Sequence, residues 1–483
     1  MKSQTKFSLL ILGLFILSSI SLGQAAPQQT KISTTESPKE ATALPAEIIM
    51  GGVFPWVVRP DAGRDRRDAF YMAVKEINDA TGADRILPVG VNITAIAKDD
   101  LNTAEGGTAA ANALVLEGAD IVIGSSGSSV SAAMAAVLGA QKIVQISYAS
   151  SSPSLSDRTL YPYFMRTAAS DAWQGEALAD LATSFGWSTG AVIHTSDSYG
   201  TGLIDVFTDA WGGTVATDQQ FDPGTTDVGA QVQAIKDADP DFVVGNFIDE
   251  DAATVMQKAY DLDAVGMPWL MTDGWSTTAT VGKATKVKNA MQRMIGSNPA
   301  PSTGAGYAAF NDSWFDAEWN YLEGPAHSQT SGTAFNSYAP LAYDAVYAAA
   351  HGLAAANTTD GDALLAALYD VTFEGASGSI AFDDIGEVIG RYDFVQFADE
   401  TFTSFGEWQN GSTYDTGTMI LQDGSQWTRT ATTITKTADL ASWEMYQEAI
   451  DEDEDSPGFT GLEVLLFLGL VGVGFVITRR KER

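Results

Sequence analysis

Apolar positions along this chain recur with two alternating periods. A short apolar run over 47–53 predicts a strand. The period then changes, and Phe70, Val74 and Ile77 share one face of a helix over 65–79. A strand over 91–97, an Ala-rich helix over 103–117, a strand over 120–123, a helix over 130–140 and a strand over 142–148 continue the rhythm. Trp173, Leu178, Leu181 and Phe185 are in phase on a helix over 170–185. A strand over 191–195 leads to a helix from about 202 to 210, and strands over 241–247, 268–272 and 293–296 follow, with helices between the first two. Such alternation, running from 46 to about 435, predicts parallel α/β sheets covered by helices. The units exceed one comfortable sheet, so two doubly wound, Rossmann-like lobes are expected. The segment 407–437 is read as the end of the second lobe. No fixed-period repeat stands out.

The two ends break this rhythm. Lys2 and Lys6, an apolar run from Phe7 to Leu22 and small residues at 23–26 have the layout of a secretory signal peptide; a retained anchor helix is the alternative. Residues 27–45 form a Pro/Ser/Thr/Gln-rich linker. An acidic stalk over 438–460 includes the run Asp451 to Asp455 and the breaker Ser456-Pro457-Gly458-Phe459. Residues 461–478 are apolar except for Glu463, and at about 1.5 Å each they span roughly 27 Å, enough for a bilayer core. The basic end, 479–483, is expected to stay in the cytoplasm, which leaves the body outside the cell.

Composition narrows the function. The chain has 483 residues, with 27 Lys plus Arg against 61 Asp plus Glu, a formal charge of −34. A surface of that sign repels nucleic acid. With no cysteine, thiol nucleophiles, disulfides and Cys-based zinc or iron–sulfur sites are excluded. The three histidines, His194, His327 and His351, show no metal-ligand spacing, so neither metal nor cofactor is expected. Four N-x-S/T tripeptides begin at Asn92, Asn311, Asn357 and Asn410, a pattern that chance also produces.

In doubly wound sheets a ligand sits beyond the carboxyl ends of the strands, so the loops after strands carry the information. Gly51-Gly52-Val53-Phe54-Pro55-Trp56 ends the first strand; Phe54 and Trp56 either wall a pocket or pack in the core. Gly124-Ser125-Ser126-Gly127-Ser128-Ser129 leads into a helix, and its amides and hydroxyls make either an anion site or a Ser-capped turn. It is neither a P-loop nor a G-x-G-x-x-G fingerprint. Ala149-Ser150-Ser151-Ser152-Pro153 follows the next strand, a polar ligand loop or a simple turn. Tyr199 offers a ring face to a cation, and Asp273, after an apolar strand, is either an ammonium partner or a helix cap. Anion donors on early loops and a carboxylate plus an aromatic on later ones match the two ends of an α-amino acid.

With those loops in view, the chain resembles type I periplasmic solute-binding proteins of the branched-chain amino-acid class and the ligand-binding ectodomains of class C receptors. The likeness is carried by Gly51 to Pro55, Ala73 to Asn78, Gln145 to Asp157 continuing through Tyr161 to Arg166, Ser170-Asp171, Gln174, Tyr199-Gly200 and Asp273-Gly274-Trp275. It covers about 46 to at least 400. The resemblance implies two lobes joined by three crossovers, lobe 1 over 46–166 and 285–375 and lobe 2 over 167–284 and 376–437. It also implies roles: Ser128 for the ligand carboxylate, the Ala149 carbonyl for the ammonium, Ser151 for either end, Tyr199 and Asp273 for the ammonium from the second lobe. Ser150 is grouped with this loop. Ser stands at 151 where Thr is usual, and the family's common cysteines are absent. Arg64-Asp65-Arg66-Arg67 either reaches an acidic ligand side chain or is an exposed charged helix face. The C-terminal pattern resembles the sorting signal of archaeal surface proteins, which can be cut off and replaced by a lipid.

The expected function is capture of an α-amino acid, or a similar zwitterion, outside the cell for an ABC-type importer, with a permease as partner. A sensory ectodomain signalling through a partner is the alternative; the five residues beyond Thr478 offer no output domain. Amide or urea-type solutes are a third reading. An enzyme is not expected, because no G-x-S-x-G elbow is present and no His neighbours the Ser-rich loops.

Overall fold

The computed structural model describes residues 43–300, 304–315, 335–398, 401–409, 412–414, 417–421, 425–429 and 434–439. The leader over 1–26, the linker up to 42, the stalk beyond 439 and the apolar segment 461–478 lie outside the described residues. Among the described residues no helix is long and apolar enough to cross a membrane.

Two separate sheets form. The first holds β1 (Glu47–Phe54), β2 (Asn92–Asp99), β3 (Ile121–Ile123), β4 (Val144–Ser147) and β5 (Phe164–Arg166), all parallel, in the order β2-β1-β3-β4-β5. Side chains alternate across a strand, so β1 feeds two cores. Ile48 and Met50 pack toward α1 (Pro60–Asp79) and α11 (Ala339–Ala356). Val53 packs toward α2 (Ala104–Leu116) and α3 (Ser128–Ala140).

The second sheet joins β6 (Thr189–Thr195), β7 (Thr214–Phe221), β8 (Phe242–Asn246), β9 (Trp269–Met271) and β10 (Ile295–Pro299) in parallel. It is extended by antiparallel β13 (Arg391–Ala398), β14 (Thr401–Gln409) and β15 (Ser412–Tyr414), giving β15-β14-β13-β10-β9-β8-β6-β7. One face carries α4 (Asp171–Phe185) and α5 (Ser198–Ala210). The other carries α6 (Gly229–Ala238), α7 (Asp249–Asp261) and α9 (Thr285–Met291), with the short α8 (Thr278–Val281) beside them. Helix α10 (Ala305–Phe315) returns to the first core through Phe310, followed by α11, α12 (Gly361–Leu368) and the hairpin β11 (Thr372–Glu374) and β12 (Ser379–Ala381). Strands β16 (Gly417–Ile420), β17 (Ser425–Arg429) and β18 (Ile434–Asp439) form a separate three-stranded sheet.

The chain therefore passes between the two lobes after β5, after β10 and after β12. Two of these passages fall later than the sequence suggested. Val287, Ala290 and Met291 of α9 pack in the second core, so the return to lobe 1 follows Pro299 and not residue 285. Ile380, Phe382 and Val388 still belong to the first core, so the last passage lies beyond 376. A strand's own residues do not say which sheet receives it, and both shifts have that origin.

Candidate functional site

A cleft between the lobes encloses roughly 1010 Å³, open solvent at its mouth included, and Ser128, Ala149, Ser151, Tyr199 and Asp273 all line it. Each sits where a strand ends. β3 runs into the loop 124–127, and Gly127 caps α3, so Ser128 and Ser129, which line the cleft, are in the helix's first turn, where amides have no intrahelical partner. β4 ends in the loop 148–153. Beyond β6, Asp197 accepts from Gly200 N at 2.9 Å and caps α5, which fixes Tyr199 in the first turn. β9 delivers Asp273.

The two serine hydroxyls have opposite hydrogen-bond polarity. Ser128 Oγ accepts from the Ser152 amide at 3.2 Å, which leaves its O–H to donate into the cleft. Ser151 Oγ donates its proton to Asp171 Oδ2 at 2.9 Å, so its lone pairs face the cleft as an acceptor. The Asp273 carboxylate accepts from Tyr199 Oη at 3.3 Å and from Tyr338 Oη. Burial raises the Asp273 carboxyl above its ordinary value, against the pull of those phenol bonds. Burial, then the nearby Asp273 charge, push Asp171 well above the carboxylate range. Asp171 Oδ1 is buried without a hydrogen-bond partner. Burial and then the Asp273 charge also hold the Tyr199 phenol well up, so it remains a donor.

Three residues expected at the ligand, the wall residues Phe54 and Trp56 and the loop residue Ser150, are elsewhere. Phe54 is enclosed in the first core, its ring 5.5 Å from Phe70 and 5.3 Å from Tyr148, because the end of β1 still lies under α1. Trp56 packs half-buried on the same core, with the Arg67 guanidinium 5.3 Å from its ring. Ser150 is fully buried, and its hydroxyl lies within bonding distance of Ser125 O (3.1 Å), Ser126 O (3.2 Å) and Ser131 Oγ (2.8 Å); it ties two loops together and does not face the cleft.

Four residues that the sequence reading left without a firm role complete the site. Asp171 stands behind Ser151. Arg66, only 3% exposed, lines the cleft from α1. It donates Nη1 to Ser126 Oγ (2.8 Å) and Nε and Nη2 to Asn336 Oδ1 (3.3 and 3.1 Å), with its Cζ 4.9 Å from the Tyr338 ring. No carboxylate among the described residues pairs with it, and three bonds leave two of its five N–H groups to spare. Burial, then the charge of Arg59, lower its pKa. Asn336 and Tyr338 arrive from the segment before α11. The signal for Arg66 was available, since it lies four residues before Phe70 on the apolar face of α1.

The lobes already touch. Ser152 Oγ donates to Ser198 O at 2.7 Å, Arg59 pairs with Asp249 at 3.2 Å, and the Tyr338–Asp273 bond also crosses the cleft.

Residues 65–400 match the receptor family ligand binding region. The chain belongs to this family. It is of the type I solute-binding class, and the matched region holds Ser128, Ala149, Ser151, Tyr199 and Asp273, which line the cleft. Metabotropic glutamate receptor 8 of Homo sapiens is 24% identical over 471 residues, covering 79% of this chain and 52% of the receptor. Metabotropic glutamate receptor-like protein E of Dictyostelium discoideum is 28% identical over 302 residues, covering 58% of this chain and 35% of that protein. This ligand-binding chain thus spans about half the length, or less, of these curated relatives. Among solved structures, the leucine binding protein LivK of Thermotoga maritima matches with a TM-score of 0.64 at 18% identity, covering 75% of this chain and 99% of that one. That likeness establishes the fold.

Proposed function

We propose that this protein captures an α-amino acid between its two lobes, outside the cell, and that it works without catalysis. The observation that carries this reading is the opposite polarity of two serines in one cleft. Ser128 and the α3 N-terminus offer donors to a carboxylate. Ser151, with its proton committed to Asp171, joins the Ala149 carbonyl and Asp273 as acceptors for an ammonium. Tyr199 stands beside them. Charge-assisted bonds of this kind contribute about 1.5–3 kcal/mol each. Because Ser128 and Ser151 belong to lobe 1 and Tyr199 and Asp273 to lobe 2, the ligand favours the closed form.

Arg66 narrows the ligand. A buried guanidinium with two unused N–H groups suits a second carboxylate, and an acidic side chain supplies one. The relatives named as glutamate receptors point the same way. Isothermal titration of the full-length protein with acidic, aliphatic and basic amino acids tests both parts. Tight binding of an acidic amino acid is expected; binding of sugars or nucleosides in preference to any amino acid would refute it.

The captured solute is delivered to an ABC-type importer, with the apolar segment 461–478, or a lipid in its place, as the membrane tether. A sensory role is the second reading, and the receptor names among the relatives favour it. Co-purification with a permease supports import; a receptor or kinase partner supports sensing.

A further inference from the structure

Arg166, the last residue of β5, is fully enclosed. Its Nη1 donates to the carbonyls of Ser150 (3.1 Å) and Ser152 (2.9 Å), the residues on either side of Ser151. Its Nη2 donates to Ser156 Oγ at 3.0 Å and pairs with Glu387. Glu387 is buried in the third passage between the lobes and also accepts from Ser156 Oγ at 2.5 Å. That passage is pressed against β5. The Arg166 amide donates to Gly386 O at 3.0 Å. Gly386 has φ +76°, and a Cβ there would stand 3.0 Å from Met165 Cγ. The first passage starts at the next residue, Thr167, and leads to Asp171, whose amide donates to Ser151 O at 2.7 Å.

One guanidinium, carried by the residue at the root of the first passage, thus holds the serine loop and the body of the third passage. A buried ion pair is a weak source of stability, because desolvation offsets most of the attraction. It does fix geometry, since the planar fork constrains every acceptor at once. We propose that Arg166, with Glu387, is a positioning residue for ligand capture: it aims the Ser151 hydroxyl and couples the serine loop to the hinge. Rotation of lobe 2 on its passages then shifts the loop that holds the ligand, and a seated ligand restrains the rotation. This rests on the amino-acid reading of the cleft for its affinity consequence alone.

The test uses the full chain. It contains no cysteine, so Leu116→Cys on lobe 1 and Asp237→Cys on lobe 2, both exposed, place spin labels for pulsed electron paramagnetic resonance distances. Arg166→Lys keeps the charge but cannot reach two carbonyls and a carboxylate together. It should broaden the interlobe distance distribution of the ligand-free protein and weaken amino-acid binding about tenfold or more. Glu387→Gln keeps an acceptor for Arg166 while removing the charge, and should shift both readouts in the same direction by less; it carries the test if Arg166→Lys does not fold. Folded variants with an unchanged distribution and wild-type affinity, or with only a lowered melting temperature, overturn the proposal. A broadened distribution in a protein whose wild type binds no amino acid sustains the joint and removes the amino-acid reading instead.

Discussion

Replacing Asp273 with Asn is the sharpest test of how the cleft works. The substitution is nearly isosteric, so the core around this buried position is preserved. Two terms follow from the structure. The ligand ammonium loses a charge-assisted partner, about 1.5–3 kcal/mol. The amide also retains one acceptor oxygen for two phenols, Tyr199 and Tyr338. The closed form therefore loses roughly one further hydrogen bond across the lobes, about 1 kcal/mol. Together these amount to about 2.5–4 kcal/mol, a loss of roughly two to three orders of magnitude in affinity. Titration calorimetry at pH 7.5 measures it, with circular dichroism to confirm the fold. Tyr338→Phe isolates the second term and should weaken binding only about fivefold. Wild-type affinity in Asp273→Asn would show that the carboxylate does not meet the ligand.

Other outcomes follow from the same geometry. Ser128→Ala removes the free donor at the α3 N-terminus and should weaken capture of any α-amino acid about tenfold, by calorimetry. Arg66→Met should abolish preference for an acidic over an aliphatic side chain in a competition assay while leaving aliphatic binding measurable. Asp171 and Asp273 have raised carboxyl pKa values, so the folded state keeps protons that the unfolded chain releases from about pH 4 upward. Their contribution to stability is greatest below that pH and declines as pH rises toward the raised values. Asp171→Asn should accordingly melt above wild type at pH 7.5, with the gap closing near pH 4, while ligand binding weakens. Wild-type affinity should move the opposite way, falling as pH drops through the raised values, because a protonated carboxyl does not pair with an ammonium. Gly274→Ala should weaken binding, since the added Cβ would come within 2.4 Å of Tyr199 Oη and 2.5 Å of Phe247 O.

The alternation of strand and helix was legible because each β-α unit of lobe 1 and of the core of lobe 2 buries an apolar run on a parallel sheet. Helix α4 and strands β6, β8 and β9 lie within two residues of where periodicity put them. Strand β7 was not legible. It is the sheet's edge, TVATDQQF, with only Phe221 buried, and no core demanded an apolar pattern of it. Helix α11 escaped for the opposite reason: it is Ala-rich and buried on most sides, so no polar stripe marks it. The start of α1 at Pro60, five residues ahead of the expected one, follows from proline's fitness for a first helical turn.

The site was legible wherever its residues follow strands and hidden wherever they do not. Ser128, Ala149, Ser151, Tyr199 and Asp273 come from four strand ends, so a topological rule finds them together. Asn336 and Tyr338 precede a helix, and nothing in their spacing marks a cleft. Arg66 sits among four charged neighbours on a helix, where composition suggests solvent but phase puts it with Phe70, Ala73 and Ile77. Phase prevails for Arg66: it is buried on the apolar face of α1, and its neighbours must then satisfy it. Here Ser126, Asn336 and the Tyr338 ring do so, with no carboxylate among the described residues paired to it. The residue that composition masked is thus a buried cation lining the cleft, with two N–H groups beyond its three bonds, which is why Arg66→Met is the variant that tests side-chain preference.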